Sequence, residues 1–231
     1  MKNVIITGAT GMVGKSVLME CLKSRQISKI LLISRRSIGI NRTEKVQELM
    51  VNDFSELDNH QDQFKDYDAC FHCMGVSVVG LSEQQYHKIT YRLTKILVDN
   101  LYEANPNMIV NYVSGTGTDS SELGKVMWAR VKGKTENYIL NKGFSDTYMI
   151  RLGALLPENG IKSNVLWYNA VYMLLKPVFP ILKKNKNFIT TSIFGIAMIN
   201  TLFYPQENKH LENKDLNLLA SENQEIIEVI L

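Results

Sequence analysis

The chain has 231 residues, of which 45% are hydrophobic and 21% are charged, and its formal net charge is +3 at pH 7. This length fits one well-cored domain over residues 1–231, and the composition is that of an ordinary globular protein. The excess of lysine and arginine is small and scattered, which argues against the clustered basic face that nucleic-acid binding needs.

Short apolar runs alternate with amphipathic stretches between residues 4 and 153. The predicted strands are Val4–Gly8, Lys29–Arg35, Val46–Asp53, Asp68–Gly75, Asn107–Gly115 and Asp146–Gly153. The predicted helices are Met12–Ser24, Tyr86–Glu103 and Glu122–Asn141. Strands that are apolar throughout are typical of a parallel sheet covered by helices on both faces. We therefore predict an α/β fold of the Rossmann type, a doubly wound parallel sheet that binds its ligand at the carboxyl ends of the strands.

A glycine-rich stretch, TGATGMVG, directly follows the first predicted strand and opens the first predicted helix. Gly8 permits the tight turn, Gly11 lets the backbone approach a pyrophosphate, and Gly14 lets the helix and strand pack closely. The free N–H groups at the start of the helix then face the anion. We predict a dinucleotide-binding loop whose contact residues are Gly8, Thr10, Gly11, Met12 and Val13.

The residues after the second and third strands indicate which dinucleotide is bound. Ser34, Arg35 and Arg36 include no acid for the ribose hydroxyls of NAD, and two guanidinium groups can grip the extra phosphate of NADP. NADP is therefore the predicted cofactor, with NAD as the alternative if these arginines form only a solvated turn. Asp53 and Phe54 follow the third strand, where they could contact the amino group and ring of adenine, or simply belong to a surface loop.

The start of the chain and the cysteine count bear on the compartment. Met1 and Lys2 lead directly into an apolar strand, without the features of a signal peptide, and three cysteines argue against a disulfide framework. We expect a cytoplasmic protein. Cys70 and Cys73 form a CxxC pattern, but in a strand this spacing places the side chains on opposite faces, so we predict no metal site.

A second apolar stretch, residues 163–182, follows the sixth predicted strand. Lys176, Pro177 and Pro180 interrupt it, and a membrane-spanning helix needs about 20 uninterrupted apolar residues. We predict a small C-terminal helical cap over residues 160–205, folded above the carboxyl ends of the strands and enclosing an apolar pocket. Docking on a membrane surface through Trp167 and Tyr168 is the alternative.

Four motifs together resemble the short-chain dehydrogenase/reductase superfamily. They are TGATGMVG, the DF after strand three, the CMG after strand four and the VKGKTE after strand five. The chain is most similar to the atypical, epimerase/dehydratase-like branch, which includes NAD(P)-binding proteins that resemble the Tat-interacting protein. The resemblance implies a nicotinamide dinucleotide cofactor and adds four contact residues, Cys73, Met74, Gly75 and Lys132.

Members of this superfamily use a serine, a tyrosine and a lysine, in which the tyrosine donates the proton and a neighbouring ammonium lowers its pKa. In this chain Lys132 matches the lysine, but the tyrosine position falls on Trp128, whose indole is no acid at physiological pH. The serine position falls on Gly115, between Ser114 and Thr116. The candidate catalytic residues are therefore Lys132, Ser114 and Thr116, with altered serine and tyrosine positions.

Two functions remain open. The first is an NADP-dependent oxidoreductase acting on a small apolar carbonyl substrate, with proton delivery through water or through Tyr168 or Tyr172 of the cap. The second is a catalytically inactive protein that senses NADP(H) and docks a partner. His72 lies within a strand and is expected to be a hydrogen-bonded core histidine. The sequence is compatible with a homo-oligomer and leaves the oligomeric state open.

Overall fold

A computed structural model describes residues 1–39, 44–161, 179–182 and 185–230 of the chain. The strands are β1 (Lys2–Thr7), β2 (Ile27–Ser34), β3 (Val46–Met50), β4 (Ala69–His72), β5 (Ile109–Val113), β6 (Asp146–Arg151), β7 (Ala154–Leu156), β8 (Phe188–Thr190) and β9 (His210–Glu212). The α-helices are α1 (Met12–Lys23), α2 (Glu83–His87), α3 (Leu93–Ala104), α4 (Met127–Leu140), α5 (Phe179–Leu182), α6 (Thr191–Asn200) and α7 (Asn213–Ile230). A 3₁₀ helix spans Phe54–Phe64, and a π-helical turn, Lys88–Arg92, joins α2 to α3.

The main sheet has seven strands in the order β3-β2-β1-β4-β5-β6-β9 within the described residues. Every neighbouring pair in it is parallel. The order reverses direction at β1, so the carboxyl ends of β1 and β4 flank the crevice where a doubly wound sheet binds its ligand. The predicted α/β Rossmann-type architecture is confirmed. A separate two-stranded parallel sheet pairs β7 with β8.

Two hydrophobic clusters cover the two faces of the main sheet. Val4 and Ile6 of β1 belong to one cluster, and Ile5 between them belongs to the other. Successive side chains of a strand point to opposite faces, so a strand that is covered on both sides must be apolar at every position. Cys70 lies in the second cluster and Cys73 packs against the first, as the predicted opposite orientation requires.

Several predicted elements are longer than the observed ones. β3 ends at Met50 rather than at residue 53, and β4 ends at His72 rather than at residue 75. Helix α4 begins at Met127 rather than at residue 122, because the preceding residues form a loop. The carboxylate of Asp119 holds this loop by accepting hydrogen bonds from the N–H groups of Ser121 and Gly124.

The C-terminal part of the chain contributes to the core. Helix α6 packs against α1 and α7, and its residues Phe194, Ala197 and Met198 lie in the cluster that covers β1. The predicted cap, residues 160–205, included α6, but α6 packs on the layer that covers the sheet. A cap can therefore be formed only by the residues that precede α6. Most of these, 162–178 and 183–184, lie outside the described residues, as do Trp167, Tyr168 and Tyr172. Among the described helices, none combines the length and hydropathy that crossing a membrane requires.

Candidate dinucleotide and catalytic site

The glycine loop is tightly packed at two of its three glycines. Gly8 has a φ of +72°, and a Cβ added there would lie 2.6 Å from the carbonyl oxygen of Cys73. A Cβ added at Gly14 would lie 2.3 Å from the carbonyl oxygen of Gly8. Close packing within the protein therefore requires glycine at both positions, because no side chain fits between β1, the loop after β4 and the start of α1.

Gly11 differs, because little in the chain requires it to be glycine. Its backbone is extended, at φ −82° and ψ 163°, and an added Cβ would meet only the carbonyl oxygen of Gly8, at 3.4 Å. Gly11 is the N-cap of α1, where no side chain caps the helix and no acid lies in the first turn. The Gly11 N–H itself donates to the carbonyl oxygen of Gly8, 2.9 Å away, but the first N–H groups of a helix lack partners within the helix, and beside an uncrowded backbone they fit a pyrophosphate. Thr10 at this turn is exposed, and Met12 and Val13 are partly buried.

The arginines predicted to bind the NADP phosphate lie beside this loop. They follow β2, which pairs with β1, so both strands end at the same edge of the sheet. The hydroxyl of Ser34 donates a hydrogen bond to the carbonyl oxygen of Arg36, 2.7 Å away, and shapes the turn. Arg35 and Arg36 are exposed, and neither has an ion-pair partner among the described residues. Their guanidinium groups therefore suit an added phosphate.

Asp53 and Phe54 have structural roles that the sequence did not indicate. The Asp53 carboxylate accepts a hydrogen bond from the N–H of Ser55, 2.8 Å away, and Glu56 accepts one from the N–H of Asp53. Asp53 thus caps the 3₁₀ helix, and the hydrogen bonds from Ser55 hold the pKa of its carboxyl below the usual range. Phe54 is only 5% exposed and packs in the core, so little of it is left for contact with adenine.

The loop after β4 presents its backbone to the glycine loop. The N–H of Cys73 donates to the carbonyl oxygen of Thr7, 3.3 Å away, and the Cys73–Met74 peptide lies against Gly8. Cys73 is partly buried, and burial raises the pKa of its thiol, which disfavours the nucleophilic thiolate at neutral pH. Gly75 is exposed at the end of this segment. The segment can therefore contact a cofactor through its backbone.

The structure brings Lys132, Trp128 and Gly115 together. A Cβ added at Gly115 would lie 3.9 Å from Lys132 Nζ and 3.9 Å from the Trp128 ring. These are the three positions predicted to match the lysine, tyrosine and serine of the superfamily. Lys132 Nζ donates a hydrogen bond to the carbonyl oxygen of Ser114, 2.8 Å away. Burial lowers the pKa of this amine from 10.5 to about 8, against the opposing charge of Glu136.

The two candidate hydroxyl groups are engaged in hydrogen bonds within the protein. Ser114 is buried, and its Oγ donates to Glu136 Oε1 at 2.5 Å. Its hydroxyl therefore faces the interior, and the catalytic role of Ser114 stays a prediction. Thr116 is exposed, and its Oγ1 donates to the carbonyl oxygen of Arg151 at 3.1 Å. Of the two, Thr116 is the hydroxyl that a ligand can reach.

Glu136 is the residue of this site that the sequence analysis did not select. It is fully buried, and besides Ser114 it binds Arg151, whose Nη2 lies 2.6 Å from Oε2. The sequence feature that could have identified Glu136 is its position one helical turn after Lys132, which places both side chains on one face of α4. That spacing is common on helix surfaces, so it did not reveal a buried carboxylate.

His72 is confirmed as a hydrogen-bonded core residue. It is fully buried, with Nδ1 2.6 Å from the Thr7 hydroxyl and Nε2 2.9 Å from the Thr94 hydroxyl. Burial lowers the pKa of its imidazole to about 3, so it stays neutral at physiological pH. Both ring nitrogens are occupied, which leaves it no role as a base.

Sequence comparisons give related proteins. The model of the NAD dependent epimerase/dehydratase family matches residues 4–146. Protein HTATIP2 of Rattus norvegicus is 29% identical over 157 residues, which cover 67% of this chain and 63% of the rat protein, less than two thirds of its length. Protein FMP52, mitochondrial, of Candida albicans is 26% identical over 190 residues, which cover 76% of this chain and 82% of the Candida protein.

Solved structures with the same fold include nucleotide complexes. The Bordetella bronchiseptica enzyme WbmH in complex with NAD+ has a TM-score of 0.66 at 13% identity, over 92% of this chain and 75% of that chain. Gre2 of Candida albicans in complex with NADPH has a TM-score of 0.67 at 14% identity, over 91% of this chain and 77% of that chain. At these identities the likeness concerns the fold.

Proposed function

We propose, from the premise that this chain belongs to the NAD dependent epimerase/dehydratase family, that it is an NADP(H)-dependent oxidoreductase acting on a small apolar carbonyl compound. The observation that carries the proposal is the loop at Gly11. The chain's own packing accounts for Gly8 and Gly14, whereas Gly11 leaves open space beside the first turn of α1, which no side chain caps. Such an arrangement is what a pyrophosphate needs. Solved structures of similar fold with NAD+ or NADPH bound support the same cofactor class.

NADP is the preferred cofactor because Arg35 and Arg36 stand exposed where the ribose of adenosine would lie, with no acid at the end of β2. Calorimetric titration with NADPH and NADH tests this. Replacing both arginines by alanine should raise the Kd for NADPH roughly tenfold or more, since each guanidinium forms charge-assisted hydrogen bonds with a phosphate. The Kd for NADH should stay within about twofold of wild type. Equal affinities of wild type for the two cofactors would refute the preference.

When bound, the dinucleotide would supply or accept a hydride. Lys132 would hold the nicotinamide ribose and carry the proton that the substrate oxygen needs. With a pKa of about 8, its Nζ is mostly protonated at neutral pH and releases a proton far more readily than an exposed lysine. Trp128 would form a wall of the site, and the bare backbone of Gly115 would leave room for the substrate.

An apolar substrate is supported by the loops after β4 and β5. Val79 is 84% exposed on the first loop, and Leu123 is 87% and Val126 53% exposed on the second. Arg130 links the second loop to α2, since its Nη1 donates to the carbonyl oxygen of Gly124 and its Nη2 contacts Glu83. Exposed apolar residues on these loops fit a hydrophobic ligand.

The oxidoreductase proposal is tested by NADPH consumption with a panel of aldehydes, ketones and quinones. Lys132→Met should reduce turnover at least roughly a hundredfold, as expected for a lost acid–base group. Lys134→Met, on the exposed side of the same helix, is the matched control and should keep wild-type turnover. If the wild type binds NADPH but turns over no compound of the panel, the oxidoreductase proposal is refuted.

A second candidate is an inactive protein that senses NADP(H) and docks a partner. It is favoured by the indole of Trp128 at the position of the proton donor, beside a glycine instead of a serine. The double variant Trp128→Tyr/Gly115→Ser distinguishes the two functions. If activity appears only in the double variant, the natural chain is a sensor; if the wild type is active, it is an enzyme. Cytoplasmic location remains a prediction, and the FMP52 relatives are named mitochondrial.

A further inference from the structure

We propose that Glu136 is a positioning residue, which holds Lys132 in place through Ser114 without touching substrate or cofactor. This role of Glu136 rests on the proposed function in one respect, which is that Lys132 contacts a dinucleotide. The geometry itself is independent of any ligand, because it joins three side chains and one carbonyl oxygen of the chain.

Ser114 is held from two sides by residues of α4. Its hydroxyl donates to Glu136 Oε1 at 2.5 Å, and its carbonyl oxygen accepts from Lys132 Nζ at 2.8 Å. Its N–H donates to the carbonyl oxygen of Ile150, 2.9 Å away, which ties it to β6. The end of β5 is therefore fixed between the carboxylate and the ammonium. A shift of Ser114 would move the only hydrogen-bond acceptor of Lys132 among the described residues.

Arg151 makes the buried carboxylate a stable anchor. Its Nη2 lies 2.6 Å from Glu136 Oε2 and its Nε 3.3 Å from Oε1, and Nη2 also contacts the hydroxyl of Ser120. A buried carboxylate needs such partners, because an unpaired charge in the interior is costly. Glu136 thus joins α4 to the carboxyl ends of β5 and β6, which is where the candidate site lies.

The charge of Glu136 also acts on the amine. Burial lowers the pKa of Lys132, and the carboxylate opposes that shift. The other titratable or charged groups facing the carboxylate are Arg151 on β6, Tyr112 on β5 and His210 on β9, whose Nε2 is 3.5 Å from Oε2. Removing the negative charge should therefore lower the pKa of Lys132 further, which a purely structural role would not do.

The experiment measures Lys132 directly, by its labelling with acetic anhydride as a function of pH, read by peptide mass spectrometry. Glu136→Gln should move the midpoint of Lys132 labelling down by about one pH unit, while Lys134 serves as an internal reference. The same variant should raise the Kd for NADPH roughly tenfold. Asp62→Asn, a surface carboxylate paired with Lys65, is the matched control and should change neither value.

Unchanged midpoint and unchanged Kd in a folded Glu136→Gln variant would overturn the proposal, even if the variant were less stable. If that variant does not fold, Ser114→Ala decides the matter, because it removes the hydroxyl bond and keeps all charges. It should weaken NADPH binding several-fold and alter the rate of Lys132 labelling, and wild-type values for both would also overturn the proposal. A wild type that does not bind NADPH would instead refute the proposed function, and the labelling would still decide the role of Glu136.

Discussion

Replacing Gly11 and Gly14 by alanine, one at a time, should separate cofactor binding from folding. The two residues lie in one motif, three positions apart, but their surroundings differ. A Cβ at Gly14 would lie 2.3 Å from the carbonyl oxygen of Gly8, whereas a Cβ at Gly11 would meet that oxygen only at 3.4 Å. Gly11 has the dihedral angles of an ordinary extended residue, so alanine is not strained there.

The expected magnitudes follow from these distances. Gly14→Ala forces α1 away from the loop, and such overpacking costs about 1–3 kcal/mol of unfolding free energy. In a chain of this length that corresponds to a Tm lowered by roughly 2–12 °C. Gly11→Ala loses about 0.5–1 kcal/mol at the N-cap, and the reduced entropy of the unfolded chain offsets this by a similar amount. Its Tm should therefore stay close to that of the wild type.

Gly11→Ala should weaken cofactor binding although it leaves the stability of the protein unchanged. The added methyl group would stand where the pyrophosphate approaches the backbone, so the Kd for NADPH should rise at least tenfold, or about 1.4 kcal/mol. Thermal unfolding followed by circular dichroism gives the Tm, and isothermal titration calorimetry gives the Kd. A folded Gly11→Ala variant that binds NADPH as tightly as the wild type would show that no pyrophosphate sits on this loop.

Three further variants test the structure. Lys132 has a folded-state pKa of about 8 against 10.5 in the unfolded chain, so the unfolded state binds more protons between these pH values. The unfolding free energy of the wild type relative to Lys132→Met should therefore rise by roughly 3 kcal/mol from pH 8 to 10.5. A difference that does not change with pH would contradict the burial of the amine. Lys45 Nζ donates to three carbonyl oxygens at the end of α1. Lys45→Met should therefore lower the free energy of unfolding, measured in urea, by about 1–3 kcal/mol. The control Lys29→Met, at an exposed position, should lower it by less than about 0.5 kcal/mol. A Cβ at Gly133 would lie 1.8 Å from the carbonyl oxygen of Asp119, so Gly133→Ala should lower the Tm by several degrees, and an unchanged Tm would mean that the loop yields freely.

The parallel sheet and the glycine loop could be predicted from the sequence because both depend on short-range patterns. Val4, Ile5 and Ile6 are consecutive and all buried, and only a strand covered on both faces accommodates such a run. The loop between β1 and α1 needs glycine at Gly8 for its positive φ. Lys132 was found through its motif, and its meeting with Trp128 and Gly115 followed from the position of α4 after β5.

The roles of individual side chains near the site were decided by contacts that sequence patterns do not report. Asp53 after a strand could contact adenine or cap a helix, and its hydrogen bond to Ser55 makes it a cap. Ser114 was a candidate hydroxyl until its bond to Glu136 turned it inward. Likewise α6 was assigned to a cap, and its largely apolar residues gave no sign that it packs on α1.

By itself, the sequence therefore predicted the glycine loop and six of the seven strands of the main sheet, because these depend on residues close together in the chain, whereas β9 was not predicted. Only the tertiary structure decided which side chains meet at the carboxyl ends of β5 and β6. Glu136, Ser114 and Arg151 come from three different elements, and their contacts exist because strand order brings those elements to one edge. Burial then gives the charges their effect, because a carboxylate and an amine interact more strongly where water is excluded.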